Sequence, residues 1–175
     1  MKKIFTIALA VISLALMSCQ KDPIGGTAAQ AISGEWYVYG YVVDEAGTIL
    51  DETFLTDAFG VEKIHVVTYN TSANETNQIF ISDLGNFWNF TVKVACDLNA
   101  LTFGNSAEAD NYAYESKVMV KNGKITKDGA MSAGGKPIDA IEFEVGFDDD
   151  PYPAKYGYDH YKFIGTRYTG FVADE

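Results

Sequence analysis

The sequence predicts an all-β protein whose strands form an antiparallel up-and-down β-barrel of about eight to ten strands. Three observations predict this fold. From residue 33 onward, aromatic and β-branched residues alternate with polar ones at a period of two, no long stretch keeps a 3.6-residue apolar period, and short turn-forming segments separate the runs. Short links force neighbouring strands to be antiparallel, and closure into a barrel removes exposed sheet edges. A two-sheet sandwich is the alternative architecture.

The predicted strands lie, in chain order, near residues 35–43, 47–55, 61–69, 78–83, 87–96, 99–103, 116–121, 124–128, 138–147 and 158–172. Hairpin-like turns are predicted at Asp44–Gly47, Asp83–Asn86, Asp97–Asn99 and Lys121–Lys124. In the last of these, Asn122-Gly123 is a residue pair that favours a type I′ turn. A helical turn is expected around residues 106–114, in a connection too long for a hairpin.

The N-terminal residues have the pattern of an export signal. Lys2 and Lys3 precede the apolar run Ile4–Leu16, which is shorter than the roughly 20 residues needed to span a bilayer. The run ends at Leu16-Met17-Ser18-Cys19, which resembles the bacterial lipobox, where the cysteine is acylated through its sulfur and becomes the mature N terminus. An ordinary cleaved signal with a chance cysteine is the alternative.

This pattern predicts a lipoprotein signal peptide over residues 1–18, a flexible tether over 19–32 with a lipid on Cys19, and one β-barrel domain over 33–175. The chain has 13 basic and 24 acidic residues, a net charge of −11. Loss of residues 1–18 removes two lysines and no acid, which leaves −13. Such a charge excludes a nucleic-acid footprint and repels anionic lipid, so we expect the acyl chains to hold the protein on the membrane.

Gln20-Lys21-Asp22 follows the cysteine and looks like the export signal of surface lipoproteins in Bacteroidetes. This resemblance implies a lipid-anchored protein of the outer membrane, exposed at the cell surface. The periplasmic face of the same membrane is the alternative location.

Gly34-Glu35-Trp36 opens the first strand of the domain, and Arg167 lies in the last. This pairing is similar to the lipocalin and wider calycin arrangement, in which the tryptophan of a Gly-x-Trp motif plugs one barrel end and an arginine of the last strand packs over it. The resemblance implies a structural role for Gly34, Trp36 and Arg167. A guanidinium over an indole contributes roughly 0.5–2 kcal/mol.

The C-terminal stretch Gly165–Phe171 also looks like the ending of a small Bacteroidetes family of lipocalin-like lipoproteins, the lipid-binding putative hydrolases. The resemblance covers roughly residues 33–175. It implies that the protein binds an apolar ligand, whereas the hydrolase part of the family description implies no particular residues in this sequence.

The chain carries 11 Tyr, 11 Phe and 2 Trp, which interior packing or a cavity lining would explain. We therefore predict that the barrel holds a small apolar or amphipathic molecule in its cavity, without a cofactor. The candidates for ligand contact are Trp88, Phe90, Tyr152, Tyr156, Tyr158 and Tyr161. The alternative function is a glycan-binding or assembly accessory lipoprotein of an outer-membrane uptake system, with an envelope protein as partner and with a flat platform formed by tyrosines 37, 39 and 41 or those in 152–161.

No catalytic site is predicted. Ser132 is followed by Ala133-Gly134-Gly135, which is not a Gly-x-Ser-x-Gly elbow, and an esterase-like hydrolase is the third hypothesis. Glu142 and Glu144 share one face of a strand and are both expected to face water.

No metal site is predicted either. Asp148-Asp149-Asp150 is expected to be a solvated acidic loop, because contiguous acids do not follow the alternating spacing of a calcium loop. Two histidines, His65 and His160, are too few for a typical zinc site. Cys96 ends an alternating apolar run and is expected to be a small core residue.

Overall fold

A computed structural model describes residues 25–171. The predicted signal peptide, Cys19, residues 20–24 of the predicted tether and the last residue of the final predicted strand lie outside this range.

The described chain forms ten strands and two short helices. The strands are β1 Gly34–Val43, β2 Ile49–Asp51, β3 Ile64–Asn70, β4 Gln78–Ser82, β5 Thr91–Asp97, β6 Thr102–Gly104, β7 Ala109–Asp110, β8 Lys117–Met131, β9 Pro137–Phe147 and β10 His160–Arg167. The helices are α1 Phe54–Phe59 and α2 Tyr152–Tyr156, and a 3₁₀ turn over Gln30–Ile32 precedes β1.

Eight of these strands close into one antiparallel barrel. Their order is β10-β9-β8-β6-β5-β4-β3-β1, and β1 pairs again with β10. Strand β2 pairs with the end of β1, and β7 pairs with β8. The predicted all-β, closed antiparallel barrel is confirmed, and the sandwich alternative is wrong. Within residues 25–171 there is no helix with the length and apolar character of a membrane span.

The closing seam runs from Trp36 opposite Arg167 to Val43 opposite His160. Gly165 lies opposite Val38 in this seam, and a Cβ atom at position 165 would lie 1.9 Å from the carbonyl oxygen of Tyr37. Only glycine permits this close approach of the two backbones.

The barrel interior is filled by the protein's own side chains. The inward-facing residues Trp36, Val38, Phe90, Phe143 and Phe163 have 0% exposure, so they touch neither solvent nor a void of water size. An eight-stranded barrel is just wide enough for side chains to fill, and large rings occupy that width here. No open space of water size therefore adjoins these five side chains, and the ligand cavity inside the barrel stays a prediction.

Several predicted elements differ from the observed ones. The segment 47–55 forms only the short β2 and then begins helix α1. No hairpin forms at Asn122-Gly123, because β8 continues through it with a shift in register between Lys121 and Lys124. A Cβ atom on Gly123 would lie 2.4 Å from the ring of Phe103, so this glycine serves close packing within the wall.

Two further differences concern loops. The helical turn expected around residues 106–114 is absent from the described chain, where that segment holds β7 and irregular backbone. The predicted tether ends earlier than expected, since Ala29 and Ile32 are fully buried in the core. The folded domain thus includes the residues just before Ser33.

Polar contacts close the barrel end at which β1 begins. The guanidinium carbon of Arg167 lies 4.4 Å from the centre of the Trp36 ring, and its Nε and Nη2 donate to Asp139 at 3.1 and 3.0 Å. Trp36 Nε1 donates to Thr68 Oγ1 at 2.9 Å. A Cβ atom on Gly34 would lie 2.2 Å from Arg167 Nη1, so glycine leaves the space that the guanidinium fills. We call this the arginine end.

The charge of Asp139 belongs to this closure. Burial raises the pKa of Asp139, but hydrogen bonds from Lys127, from the backbone of Asp128 and from Arg167 outweigh it and lower the pKa below its usual value. A carboxyl group with a lowered folded-state pKa contributes stability above its unfolded pKa of about 3.9, and that contribution is lost as the pH falls.

We therefore predict that acid lowers the free energy of unfolding more steeply in the wild type than in Asp139→Asn. The difference should arise between roughly pH 5 and pH 2, where the carboxylate becomes protonated. Each unit of pKa difference corresponds to about 1.4 kcal/mol. Urea unfolding at a series of pH values measures this slope. Parallel curves for the two proteins would show that Asp139 does not contribute to acid sensitivity.

Candidate functional site

Aromatic side chains close the barrel end opposite the arginine end. Strand β1 runs from the arginine end to Val43, and α1, α2 and the loop after β4 meet at its far side. The rings gathered there are those of Phe54, Phe59, Phe87, Trp88, Phe147, Tyr152, Tyr156, Tyr158 and Tyr161. We call this set the aromatic end.

Aromatic rings of helices α1 and α2 contact each other. The ring centres of Phe54 and Tyr156 are 5.2 Å apart, and those of Phe59 and Tyr152 are 4.8 Å apart. Among the described residues, no backbone hydrogen bond joins the two helices. Since each ring pair contributes only about 0.5–1.5 kcal/mol beyond its buried area, this closure is weak compared with the paired strands beneath it.

A continuous series of ring contacts leads from the aromatic end into the barrel. Phe87 contacts both Tyr161, at 5.1 Å, and Phe163, at 5.6 Å between ring centres. Phe163 contacts Phe143 at 5.2 Å, and Phe143 contacts Phe103 at 5.9 Å. The series therefore extends from the surface to the interior face of β6.

Five of the six predicted ligand-contact residues belong to the aromatic end, and the sixth, Phe90, contacts Phe147 at 5.6 Å. Tyr156 is 48% exposed, whereas Phe90 and Tyr161 are completely buried. Sequence reasoning missed Phe54 and Phe59, because residues 47–55 had the alternation of a strand. The signal that could have found them is Gly60, which ends α1 in the left-handed conformation typical of a helix C-cap.

The buried carboxylate of Asp83 builds the loop that carries Phe87 and Trp88. Its two oxygens accept five backbone N–H groups at 2.8–3.0 Å, from residues 85, 87, 88, 89 and 90. Residues 87–90 consequently form a loop around this carboxylate, although they were predicted to be the start of a strand. The sequence marked Asp83 only as a turn residue.

Asp148 and Asp149 are exposed, as expected for a solvated acidic loop, whereas Asp150 is half-buried. Asp149 accepts hydrogen bonds from Trp88 Nε1 at 2.9 Å and from the Tyr114 hydroxyl at 2.7 Å. Asp150 accepts one from the Tyr161 hydroxyl at 2.6 Å. These acids orient the rings. No group of three or more possible metal-ligating side chains occurs among the residues that the structure describes.

Tyr158 and Tyr161 act as hydrogen-bond donors in this region. Burial raises the pKa of both phenols above its usual value, and the hydrogen bond to Asp150 raises that of Tyr161 further. The two hydroxyl oxygens are 2.6 Å apart. Both phenols therefore keep their protons at neutral pH, and the Tyr161 hydroxyl donates a hydrogen bond to Asp150.

Glu144 is buried, contrary to the prediction that it faces water. His160 Nε2 lies 3.1 Å from its carboxylate, and Asn122 Nδ2 donates to it at 3.0 Å. His160 Nδ1 lies 2.7 Å from Asp159. Glu142, on the same face, is partly exposed and lies 3.6 Å from the ammonium group of Lys162.

These contacts place no nucleophile beside the buried histidine. Both ring nitrogens of His160 contact carboxylates. Ser132 lies in the turn that precedes β9, whereas His160 lies beside the other end of that strand. The described structure thus brings together no serine–histidine pair at Ser132.

The tyrosines of β1 form a row on the outer wall. Tyr39 is 47% exposed, and the Lys63 ammonium lies 5.2 Å from the ring centre of Tyr37 and 6.0 Å from that of Tyr39. A shallow groove of about 340 Å³ runs beside this row, with Ala140 and Ile164 among its lining residues. A larger open groove of about 610 Å³ lies over β6.

The other two predicted positions have ordinary surroundings. Cys96 is half-buried, and burial raises the pKa of its thiol, as does the nearby Asp97. A thiol with a raised pKa is a poor nucleophile at neutral pH. His65 is half-buried on the outer wall, with Nε2 3.4 Å from the carboxylate of Glu35.

One comparison with known proteins gives a match. The family model described as "Lipid-binding putative hydrolase" matches residues 21–172 of the chain. No curated protein matches the chain.

We predict that Asp83→Asn lowers the free energy of unfolding by about 3 kcal/mol, because an amide group leaves several buried N–H groups without an acceptor. The matched control is Asp97→Asn, an exposed acid that accepts the N–H groups of Asn99 and Ala100 at 2.8 and 3.1 Å. The control should lose less than about 1 kcal/mol. Urea unfolding measures both, and equal losses would contradict the role given to Asp83.

Proposed function

Because the chain belongs to the family of lipid-binding putative hydrolases, we propose that it binds an apolar or amphipathic lipid at the aromatic end of its barrel. The observation that carries the proposal is the closure of this end by ring contacts between α1 and α2 without a backbone hydrogen bond. An acyl chain can enter between α1 and α2, because only side-chain contacts have to break for the two helices to move apart.

The energies favour such an exchange. Four ring pairs would separate if the helices moved apart, namely Phe54–Tyr156, Phe54–Tyr158, Phe59–Tyr152 and Trp88–Tyr152. Their loss costs about 2–6 kcal/mol beyond the apolar area that these rings bury. Burial of an acyl chain contributes about 0.8 kcal/mol of binding free energy for each methylene. A chain of about ten carbons therefore gains more free energy than the loss of the four ring pairs costs.

The ring contacts also indicate where the acyl chain would lie. Phe87 contacts Tyr161 and, deeper in the barrel, Phe163, so an acyl chain that displaces the outer rings meets further aromatic surface below them. The ligand then lies among the rings at the barrel mouth, and the packed interior is left in place.

The proposal includes a lipid anchor on Cys19 and a place on the outer membrane, exposed at the cell surface. The Leu16–Cys19 lipobox resemblance, the Gln20-Lys21-Asp22 segment and the net charge of −13 after removal of residues 1–18 support it. A relationship to the calycins is supported by Gly34, Trp36 and Arg167, which lie together at one barrel end.

For the binding site we predict that 1-decanol binds saturably and changes the tryptophan fluorescence, since Trp88 lies among the displaced rings. Phe59→Ser or Tyr152→Ser should weaken binding about tenfold, because each change removes a ring against which the decyl chain would be buried. Tyr39→Ser, on the outer row, is the matched control and should leave the affinity unchanged.

Titration calorimetry on the folded variants measures these affinities. Loss of binding in Tyr39→Ser alone would move the site to the outer row. Saturable binding of maltohexaose without any response to decanol would favour the glycan-binding alternative, for which the tyrosine row supplies an open surface.

For the anchor we predict that an alkyne-tagged fatty acid labels the protein in growing cells of a lipoprotein-producing bacterium. Cys19→Ser should abolish the label and release the protein from the outer-membrane fraction. Cys96→Ser is the matched control and should stay labelled and membrane-bound. Labelling that survives Cys19→Ser would contradict the proposed anchor.

A further inference from the structure

A small cavity adjoins the aromatic end. It has a volume of about 200 Å³. Phe147 and Tyr161 of the aromatic end line it, and so does Asp150, which accepts a hydrogen bond from Tyr161. Its remaining walls include Glu108, Asp159 and His160. An amphipathic molecule held among the rings would therefore have this cavity within reach of its polar group.

The charge of the cavity lining is one-sided. Three carboxylates, those of Glu108, Asp150 and Asp159, line it, and no lysine or arginine does. Asp150 already accepts a hydrogen bond from the Tyr161 hydroxyl, and Asp159 contacts His160. Within residues 25–171 no hydrogen bond holds the Glu108 carboxylate, and it interacts electrostatically with Lys117, so a ligand cation would compete with that lysine.

The chemistry of this lining selects among headgroups. Carboxylates attract a cation and repel a carboxylate or phosphate, and the effect is stronger in a partly enclosed site than in water. Phe147 and Tyr161 add ring surfaces, which attract an ammonium group and not an anion. A water occupies about 30 Å³ of liquid, so the cavity accommodates a group of a few heavy atoms.

We infer that the aromatic end takes an amphipathic molecule with an ammonium headgroup, which lies in this acidic cavity while the acyl chain packs among the rings. This inference rests on the proposed function. The ammonium can belong to a simple long-chain amine or to a lipid that carries an amino group.

The test compares ligands with one chain and different headgroups. Decylammonium should bind at least tenfold more tightly than 1-decanol, and decanoate should bind more weakly than decanol, all at pH 7 and low salt. Lysophosphatidylethanolamine should bind more tightly than lysophosphatidylglycerol if an amino lipid is also accepted. If decylammonium is preferred but the two lysophospholipids bind equally, the site takes simple amines only.

The variant for this test is Glu108→Gln, an exposed position whose change should leave folding intact. It should reduce the preference for decylammonium over decanol at least threefold and leave decanol binding unchanged. Asp97→Asn removes the same charge at the remote β5–β6 turn and is the matched control, with the preference retained.

The outcomes separate this inference from the proposed function. Equal affinities for decylammonium, decanol and decanoate would overturn the ammonium assignment and leave lipid binding at the aromatic end standing. A preference that Glu108→Gln and Asp97→Asn reduce equally would overturn the assignment to this cavity. Failure of every decyl compound to bind would overturn both.

Discussion

The antiparallel pairing of β1 with β10 closes the barrel, and every other feature of the structure depends on its register. Because side chains alternate along a strand, a slip of one residue would turn Trp36 outward and Tyr37 inward, and would separate Trp36 from Arg167. Gly165 holds this register, since only a residue without a Cβ atom fits against the backbone at Tyr37. One glycine therefore determines which rings form the core and which remain on the surface.

Closure makes the two barrel ends differ in kind. Directional interactions hold the arginine end: a charged pair with Asp139, a hydrogen bond from the indole of Trp36 and a stacked guanidinium. Non-directional ring contacts hold the aromatic end between its two helices. Rings can exchange one apolar neighbour for another at little cost, whereas the half-buried ion pair of Arg167 and Asp139 would lose its partner and its hydrogen bonds. Lipid binding is accordingly proposed where the closure is non-directional.

The alternation of apolar residues was sufficient to predict the barrel and most of its strands, because burial of one sheet face imposes a period of two. It failed where a local interaction outweighed periodicity. Asn122-Gly123 has the residue pair of a tight turn, yet Phe103 packs against the glycine and β8 continues. Residues 87–90 alternate like a strand, but the carboxylate of Asp83 binds their N–H groups. The sequence identified most rings of the candidate site, while α1 and the cavity at Glu108 depend on contacts between distant segments.

The burial of Ala29 and Ile32 has a consequence for how the molecule stands on a surface. These residues fix the start of the folded chain at the arginine end, and the ten peptide units between Cys19 and Ala29 span at most about 35 Å. An acylated Cys19, as proposed above, would thus attach the protein to its bilayer from the side of the arginine end. A lipid that binds at the aromatic end would accordingly enter and leave the protein at the barrel end opposite its point of attachment.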